Sequence, residues 1–552
     1  MLPSAIQSEA TGELSIESAP NLSELPQFLG RIAQYPDEFI IYDDGFRGRT
    51  FRYADIAALV RTLTARLRAE GLRRGDVAMI WPEGRPGRSC TPRGGRYTSS
   101  MNPMKTSALF TDLYELTMAR AYAAEHMDQC AVFELTFRKM PRNRNYIVAA
   151  GIGDVLEFLA NFRFDDEDLE YLHQSHGFPE EFVERLRDLR FTGDVFALPE
   201  GTPVFPHEPI VQVIAPILEA QLMETLVLNQ IHLQSLAVTK AVRVVEAAAG
   251  RSVVDFGSRR AHGTEAAIKV ARATYLAGGV GTSNVLAGRA YGIPVFGTMA
   301  HSYIQAHDNE AESFEAFAAL YPETTLLVDT YDTLEGVRKV IDLACRLGDE
   351  FRVRAVRLDS GDLGALASET RRMLDSAGLK HVGIFASSSL DEYEIQKLAT
   401  SGAPIDIFGV GTKLAVMEGA SHLDMAYKLV EYAGRGRLKL SSKKVLHPGR
   451  KQIFRQIENG RMTGDVIGRF DEALPGESLL CPVMLRGRPT GPIELEESRR
   501  RLQRELMRVP DHLRALDPSP SEYPVSFSER LRGDLERIRA ELASVERNPC
   551  LI

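Results

Sequence analysis

The sequence predicts an α/β protein that contains a parallel βα barrel, an α+β region before it and a helical region after it. Short apolar runs alternate with amphipathic stretches from residue 251 onward, which is typical of consecutive βα units. Mixed strand and helix patterns precede this region from about residue 109, and charged stretches of helical spacing follow it from about residue 498. The six predicted barrel strands lie in RSVVDF, GIPVFGTM, TTLLVDTY, VRAVRLD, HVGIFA and PIDIFGV.

The composition is that of a globular chain long enough for several domains. Its 552 residues are 44% hydrophobic and 26% charged, with a net charge of −9, which argues against a disordered, fibrous or dedicated nucleic-acid-binding protein. Five scattered cysteines without a CxxC pair favour a reducing compartment over a disulfide framework or a zinc site. No run reaches the ~18–20 apolar residues of a membrane helix, and no signal-peptide pattern opens the chain. We therefore expect a soluble, cytoplasmic protein without a nucleic-acid or membrane partner.

Changes in sequence pattern divide the chain into five segments. We predict boundaries at 1–83, 84–103, 104–245, 246–425 and 426–552. The second segment is an Arg- and Gly-rich junction. We expect the third to form the α+β domain, the fourth the barrel, and the fifth some strands followed by charged helices. The sequence leaves open whether translation begins at Met1, Met101 or Met104.

The residues that follow the predicted strands are rich in groups that bind anions. In a βα barrel the active site lies at the carboxyl ends of the strands. Here these ends read DFGSRRAHG, GTMAHS, RLDSGD, SSS and FGVGT. This density of Gly, Ser, Thr, Arg, Asp and His at successive strand ends predicts an active site there.

Two of these strand ends are suited to phosphate. In GVGT, the small residues Gly409 and Gly411 allow backbone N–H groups to approach phosphate oxygens, and a helix starting near Thr412 would add its positive N-terminal dipole. The Ser387–Ser389 turn offers similar groups. Either turn alone is structural about as often as functional, but together they indicate a phosphorylated substrate.

The RLDSGD segment places a cation and acids at one strand end. Asp359, with Ser360 and Gly361 beside it, is suited to ribose hydroxyls or to Mg²⁺, whereas Arg357 is suited to an anion or an aromatic ring. The structural alternative is an ordinary buried Arg–Asp pair. His301 opens a predicted helix, where a histidine is as often a cap or core residue as a catalyst.

The DFGSRR segment combines an aromatic ring with cations. Phe256 beside Arg259 and Arg260 is suited to a flat aromatic acid, and the alternative is a surface salt-bridge cluster. The residues alone therefore indicate a barrel enzyme that handles a phosphorylated ribose and an aromatic anion, and they do not identify the reaction.

The ordered set of segments resembles the nicotinate phosphoribosyltransferase family, from about Met104 to near Glu546. The segments that carry the resemblance are DLYELTMA, FELTFRKMP, DFGSRRAHG, GTMAHSYIQAH, RLDSGDL, FGVGT and the late YPVSFSERLR. It implies the irregular βα barrel of type II phosphoribosyltransferases and the formation of nicotinate mononucleotide and pyrophosphate from nicotinate and phosphoribosyl pyrophosphate, in NAD biosynthesis. It further implies ATP hydrolysis coupled through a phosphohistidine, a requirement for Mg²⁺, and a homodimer with shared active sites.

The same resemblance implies roles for single residues. His301 would be phosphorylated, Asp359 would hold the ribose hydroxyls, and Arg357 would lie beside the ring and the transferred anions. The pyridine ring would lie between Phe256 and the partner subunit's Tyr114. The other expected substrate contacts are Arg259, Ser283, Ser360, Gly361, Gly409, Gly411 and Thr412, and the metal ligands stay unassigned.

Ser283, in GTSN, bears on the choice of substrate. It stands where the nicotinamide-using relative carries an aspartate, and a carboxylate there would repel nicotinate, whereas a hydroxyl can donate to it. We therefore expect a preference for nicotinate. The alternatives are a type II phosphoribosyltransferase that uses nicotinamide or quinolinate, and a non-catalytic scaffold descendant, which the intact His301 and Asp359 disfavour.

The segment of about residues 21–83 resembles the opening of an acyl-CoA synthetase or a related adenylate-forming enzyme. The likeness lies in RTFRYADIAALVRTLTARLRAEGLRRGDVAMIWPEG. The later ATP loop and the catalytic core of that family have no counterpart in this chain. We therefore expect the segment to be catalytically silent.

Overall fold

The computed structural model describes residues 106–440 and 447–547, preceded by the backbone of two short strands. These are β1 (Glu38–Tyr42) and β2 (Arg49–Arg52), which pair antiparallel. They belong to a first compact unit, residues 1–99, and all elements described below belong to the second, residues 100–552. The predicted junction at 84–103, Met104 and most of the segment that resembles an adenylate-forming enzyme lie outside the described residues.

The second unit alternates strands and helices along most of its length. Its strands are β3 (Cys130–Phe137), β4 (Ile147–Val148), β5 (Asp194–Ala197), β6 (Pro203–Val204), β7 (Val211–Pro216), β8 (Ser252–Asp255), β9 (Gly281–Thr282), β10 (Thr325–Leu327), β11 (Ala355–Leu358), β12 (Gly383–Ala386), β13 (Ile407–Val410), β14 (Met425–Tyr432), β15 (Arg435–Gly436), β16 (Lys451–Glu458), β17 (Arg461–Arg469), β18 (Glu477–Ser478), β19 (Cys481–Leu485), β20 (Arg488–Pro489) and β21 (Val525–Phe527). Its helices are α1 (Leu113–Ala124), α2 (Ile152–Ala160), α3 (Asp166–His176), α4 (Glu180–Arg187), α5 (Ile217–Leu222), α6 (Glu224–Ala247), α7 (Thr264–Leu276), α8 (Val285–Tyr291), α9 (His301–Gln305), α10 (Glu310–Leu320), α11 (Thr333–Leu347), α12 (Leu363–Ser376), α13 (Glu392–Thr400), α14 (Thr412–Ala415), α15 (Leu495–Arg508), α16 (Asp511–Arg514) and α17 (Glu529–Arg547).

Six parallel strands form a curled sheet, in the order β10-β11-β12-β13-β8-β9. The predicted barrel architecture is therefore confirmed in the form of a half-barrel, with β9 and β10 at its two edges. Apart from the Gly-Thr strand β9, the strands are short apolar runs, and all six are largely buried on both faces, as expected when helices cover a parallel sheet. Because all six strands point the same way, their carboxyl ends line one edge, which is where the sequence predicts the active site.

The sixth strand differs from the predicted one. The apolar run at 292–299 was expected to form a strand, but it contributes only an isolated bridge between Val295 and Thr282. The strand that completes the sheet is β9, which pairs with β8 through Gly281 opposite Val254. A Cβ atom on Gly281 would lie 2.4 Å from the carbonyl oxygen of Pro294, so only glycine allows this close approach.

A second, antiparallel sheet combines strands from both sides of the half-barrel in the sequence. Its order is β15-β14-β3-β7-β5-β19-β20. Strand β3 is buried along nearly its whole length because β14 pairs with one of its edges and β7 with the other. The predicted segments 104–245 and 426–552 thus build one sheet together, and β16, β17, β18 and β21 form a further sheet.

Helix α6 connects the antiparallel sheet region to the half-barrel through polar contacts. The Thr239 hydroxyl oxygen accepts a hydrogen bond from the backbone N–H of Val148 (2.9 Å). On the barrel side, Lys240 and Arg243 donate to Glu392 at the start of α13. Neither this 24-residue helix nor any other in the described part of the chain is long and apolar enough to cross a membrane.

His447 predicts a pH dependence of stability. Its ring stacks on Phe527 with centroids 3.8 Å apart. Burial, followed by the charges of Lys451 and His207, lowers the pKa of His447 to about 4, against about 6.5 in an unfolded chain. Between these two pKa values the unfolded state binds a proton at His447 and the folded state does not. The free energy of unfolding is therefore unaffected by this group above about pH 6.5 and falls as the pH drops toward 4.

The measurement is the free energy of urea unfolding at pH 7 and at pH 5, for the wild type and for His447→Phe. We expect the wild type to lose more stability than the variant between the two values, since phenylalanine keeps the stacking and cannot titrate. Equal losses would contradict this assignment.

Candidate active site

Arg357, at the end of β11, is the centre of the strand-end site. Its Nε donates to Ser387 Oγ (2.8 Å), its Nη1 to Thr298 Oγ1 (3.1 Å) and its Nη2 to Asp359 Oδ1 (3.0 Å). Its guanidinium carbon lies 5.4 Å from the centroid of the Phe256 ring. One side chain therefore connects residues that follow β8, β11 and β12 with the loop that precedes α9, and a planar cation is held ready for an anion or a ring.

Asp359 directs one carboxylate oxygen toward the protein and leaves the other available. Oδ1 accepts hydrogen bonds from Arg357 and from the Ser387 hydroxyl. Oδ2 lies 3.8 Å from Nε2 of His301 and accepts no hydrogen bond from the described residues. The side chain is 26% exposed, so a ligand can reach this oxygen.

His301 lies at the first position of α9, next to Asp359. Its Nδ1 is 3.1 Å from the Thr330 hydroxyl, and its side chain is 41% exposed. Within the described residues Nε2 makes no hydrogen bond. The structure therefore brings three predicted residues, His301, Arg357 and Asp359, into one cluster with a free ring nitrogen and a free carboxylate oxygen.

Asp329, which follows β10, is a site residue that the sequence analysis missed. Its Oδ2 accepts from the backbone N–H of Asp359 (3.0 Å) and from the Ser360 hydroxyl (2.6 Å). Its Oδ1 is buried and has no hydrogen-bond partner among the described residues, and such an orphaned oxygen needs an explanation. The rule that strand ends carry function could have found it, because Asp329 is the first charged residue after the apolar part of the predicted strand TTLLVDTY.

The two aspartates fit Mg²⁺ that is bound together with a substrate. Mg²⁺ commonly takes one or two carboxylates plus substrate phosphates and keeps several waters. Asp329 and Asp359 supply two carboxylates at adjacent strand ends. No cluster of three or more His, Cys, Asp or Glu that could hold a metal occurs in residues 106–440 and 447–547. The donor set thus favours an ion that arrives with phosphate over a resident metal centre.

The GVGT turn follows β13 and packs closely under the Phe256 ring. A Cβ atom on Gly409 would lie 2.8 Å from the Phe385 ring and 2.9 Å from the Phe256 ring, so glycine keeps the stacking of these two rings (5.4 Å, 30°). The helix that follows is short. Since α14 has only four residues, it adds little dipole, and the partly open backbone of Gly411 and the exposed Thr412 are the groups this turn offers.

The turn after β12 has an unusual backbone. Ser388 and Ser389 adopt φ angles of 102° and 45°, a region that costs non-glycine residues about 1–3 kcal/mol and is common at functional sites. Ser387 is buried, and its hydroxyl is engaged by Arg357 and Asp359. The two exposed residues, Ser388 and Ser389, are therefore the ones that can meet a ligand.

The predicted ring-binding residues lie around β8 and β9. Arg259 lies in a short 3-10 helix (Ser258–Arg260), is exposed, and forms no salt bridge within the described part of the chain, unlike the surface-cluster alternative. Ser283 follows β9 and is half-buried, and its backbone N–H donates to the Asp255 carbonyl (2.8 Å). Burial raises the pKa of Asp255, whose carboxylate accepts from Thr282 and fixes this corner.

Gly361 and Tyr114 are two further predicted site residues. Gly361 has a φ of 80°, a left-handed conformation that favours glycine, and it follows the exposed Ser360. Tyr114 lies on α1 and is 45% exposed, with Phe110 and Leu113 exposed beside it. Within the described residues, Tyr114 shares no hydrogen bond or ring contact with Arg357, Asp359 or His301.

Two family profiles match the chain. The nicotinate phosphoribosyltransferase (NAPRTase) N-terminal domain matches residues 109–232, and the nicotinate phosphoribosyltransferase (NAPRTase) family matches residues 251–449. A nicotinate phosphoribosyltransferase of Mycobacterium tuberculosis is 59% identical over 438 residues, which cover 78% of this chain and 94% of that protein. One of Bacillus subtilis is 42% identical over 383 residues, covering 68% of this chain and 78% of that protein. Neither profile reaches residues 21–83, so neither supports the resemblance of that segment to an adenylate-forming enzyme.

Solved structures show the same fold. The crystal structure of human nicotinic acid phosphoribosyltransferase matches with a TM-score of 0.71 and 30% identity, covering 78% of this chain and 99% of that one. The nicotinate-nucleotide pyrophosphorylase of Pyrococcus furiosus matches with a TM-score of 0.60 and 25% identity, covering 75% and 98%. The half-barrel and the sheet region before it are thus shared with enzymes of pyridine nucleotide metabolism.

Proposed function

The chain belongs to the nicotinate phosphoribosyltransferase family and is a pentosyltransferase, and we propose that its strand-end site joins nicotinate to phosphoribosyl pyrophosphate. The observation that supports this best is the placement of Arg357, which lies over Phe256 and is bonded to Asp359. This arrangement combines a surface for a flat ring, a cation for anions and a carboxylate for the ribose within one cluster.

Nicotinate binds at the β8–β9 end of the site in this proposal. Its ring lies against Phe256, and its carboxylate is attracted by Arg259 and accepts a hydrogen bond from the Ser283 hydroxyl. The second face of the ring is covered by the partner subunit's Tyr114 in a homodimer. The exposed Phe110, just before α1, and the exposed Leu113 at its first position support a protein contact at this end of the helix.

The phosphoribosyl group binds at the β11–β13 end. Its 5′-phosphate is held by the backbone of Gly411, by Thr412 and by the exposed Ser388–Ser389 turn, with Ser360 and Gly361 near the ribose or the pyrophosphate. Gly409 is buried within β13 and contributes by its close packing under the Phe256 ring. The ring nitrogen of nicotinate forms a bond to C1 of the ribose while the bond from C1 to the pyrophosphate oxygen breaks. Because C1 becomes cationic in between, the free oxygen of Asp359 stabilises this state, and Arg357 stabilises the departing pyrophosphate.

ATP hydrolysis is coupled to this reaction through His301. The free Nε2 takes the terminal phosphoryl group of ATP, so that the bond from phosphorus to the ADP oxygen breaks and a phosphorus–nitrogen bond forms. Thr330 holds the opposite ring nitrogen (3.1 Å) and thereby fixes the orientation of the ring. Water later releases phosphate, and the cycle favours the product-forming state.

Mg²⁺ would be held by Asp329 and Asp359 together with the substrate phosphates, where it supplies positive charge to the phosphate oxygens.

We place the activity in the cytoplasm and in NAD biosynthesis. The five scattered cysteines without a CxxC pair support this placement.

The test is the formation of nicotinate mononucleotide by the full chain, with nicotinate and phosphoribosyl pyrophosphate, in the presence and absence of ATP and Mg²⁺. We expect product that increases with ATP. Faster turnover of nicotinamide or quinolinate would favour the alternative substrates, and no product with any acid or amide would favour a scaffold. A variant that begins at Met104 distinguishes an inactive site from interference by the first 103 residues.

Ser283→Asp tests the assignment of the acid-recognising hydroxyl. A carboxylate at this position repels the nicotinate carboxylate and can accept from an amide, so we expect kcat/KM for nicotinate relative to nicotinamide to fall roughly 10–100-fold. The control is Ser368→Asp, which adds the same charge on the exposed face of α12 and leaves the ratio unchanged. An unchanged ratio in Ser283→Asp would show that Ser283 does not select the substrate.

A further inference from the structure

A salt bridge connects the two turns to which the 5′-phosphate is assigned. Lys413, which follows Gly411 and Thr412, places its Nζ 2.7 Å from Oδ2 of Asp391, two residues after the Ser387–Ser389 turn. The side chains are 26% and 13% exposed, so the pair is shielded from water more than a typical surface bridge. The hydrogen bond to Asp391 also raises the pKa of Lys413, which keeps the ammonium charged.

The other oxygen of Asp391 fixes the start of α13. Oδ1 accepts from the backbone N–H groups of Tyr393 (3.0 Å) and Glu394 (2.9 Å), the arrangement of a helix N-cap. Asp391 is thus held by its own helix, and through Lys413 it holds the segment that follows β13.

A second, deeper connection joins the same two segments. The buried Lys240 of α6 donates to Glu392, the first residue of α13, and to the carbonyl oxygen of Glu418 (3.0 Å), three residues after α14. Arg243 donates to the second oxygen of Glu392 (3.1 Å). Because Lys240 and Glu392 are nearly fully buried, this inner connection is rigid, and it fixes the bases of both turns from the core.

The backbone conformation of Ser388 and Ser389 requires that the surrounding contacts hold this turn in place. Both residues hold positive φ angles, and serine adopts them only where the surroundings enforce them. The inner connection ends at Glu392, so Asp391 and Lys413 are the outer contact, closest to the turn itself. If this contact is lost, the turn can relax away from the GVGT segment while the inner connection keeps the fold.

We propose that Lys413 and Asp391 are positioning residues that set the separation of the two phosphate-binding turns, and thereby the affinity for the 5′-phosphate of phosphoribosyl pyrophosphate. The inference rests on the proposed function, since that function assigns the phosphate to these turns. It differs from a direct role of Lys413 as a phosphate ligand, because in this proposal the ammonium acts through Asp391.

The test measures kcat and both KM values for Lys413→Met, Asp391→Asn and the double variant. Asparagine is as good an N-cap as aspartate, so Asp391→Asn removes the bridge and keeps the helix start. We expect each single variant to raise KM for phosphoribosyl pyrophosphate about 10-fold, with kcat and KM for nicotinate nearly unchanged. The double variant should be no worse than either single one, because both remove the same contact.

Lys413→Arg should restore wild-type behaviour, since arginine keeps the ion pair. Arg346→Met is the matched control, because it removes a bridge to Glu315 (2.8 Å) between α11 and α10, away from the turns, and should change no KM value. If Asp391→Asn tightened phosphoribosyl pyrophosphate binding while Lys413→Met weakened it, Lys413 would be a direct phosphate ligand and the proposal would be wrong. Unchanged KM values in both variants would also overturn it.

Calorimetric binding of phosphoribosyl pyrophosphate and of ribose 5-phosphate, without nicotinate, separates this inference from the proposed function. A wild type that binds both ligands but forms no nicotinate mononucleotide contradicts the proposed function only. The same loss of affinity in the two single variants would then still support the positioning role, and equal affinities in all variants would refute it.

Discussion

Asp359→Asn is expected to lower kcat about 1,000-fold and to weaken the binding of phosphoribosyl pyrophosphate much less, although Asp359 is also placed at the ribose and at Mg²⁺. The free Oδ2 of Asp359 is the anionic oxygen that faces the reacting centre in the proposed reaction, and its charge matters most when C1 of the ribose becomes cationic. Asparagine has nearly the same shape, so it keeps contacts to Arg357 and Ser387 while it removes the charge. Since the interaction is strongest in the transition state, the loss should fall on kcat.

The measurement is single-turnover formation of nicotinate mononucleotide, with calorimetry of phosphoribosyl pyrophosphate binding beside it. Asp362→Asn is the matched control. Asp362 lies three residues along the same segment and accepts from Gly364 and Ala365 as the N-cap of α12, a role that asparagine fulfils equally well. A loss of binding in Asp359→Asn with an unchanged rate of the bound complex would mean that Asp359 only holds the ribose.

His301→Ala is expected to abolish the stimulation of product formation by ATP, a loss on the order of 100-fold in rate. Without the imidazole no phosphorus–nitrogen bond can form, so ATP turnover should stop along with the coupling. A basal reaction without ATP should remain near the wild-type basal rate, because Arg357 and Asp359 are unaffected.

The measurement is phosphate release from ATP together with product formation, plus the acid-labile, base-stable phosphoprotein expected of a phosphohistidine. His381→Ala is the control, since His381 is exposed and precedes β12 at the opposite edge of the sheet. Thr330→Val should reduce the coupling partly, because it removes the contact to Nδ1 and leaves the nucleophile. Full ATP stimulation in His301→Ala would assign the coupling to another residue.

The sequence predicted the elements whose signal is local. Apolar runs such as RSVVDF and PIDIFGV, each followed by small or polar residues, predicted β8 and β13. They also predicted that Phe256 and Gly409 lie toward the same edge of the sheet. Parallel strands place their carboxyl ends side by side, so local patterns were enough to predict which residues would lie along this edge.

The features that the sequence did not predict depend on contacts between residues that are far apart in the sequence. Strand β9 has only two residues, and it forms because Gly281 fits under the Pro294 carbonyl, which no apolar pattern shows. Asp329 lies within the predicted strand TTLLVDTY, and only the structure shows that its carboxylate accepts a hydrogen bond from the Asp359 backbone. The antiparallel sheet that the segments before and after the half-barrel share was likewise not predicted. Its strands β3 and β14 are paired although the whole half-barrel separates them in the sequence.

That pairing has a consequence for how the chain is made. Strand β3 leaves the ribosome early, and β7 can cover one of its edges soon afterwards, whereas β14 is synthesised only after the complete half-barrel. At a synthesis rate of ~5–20 residues per second, the second edge of β3 stays unpaired for roughly 15–60 s. During this time the apolar strand edge can pair with another nascent chain. Recombinant yield should therefore depend on chaperone supply and growth temperature more than on the stability of the finished enzyme.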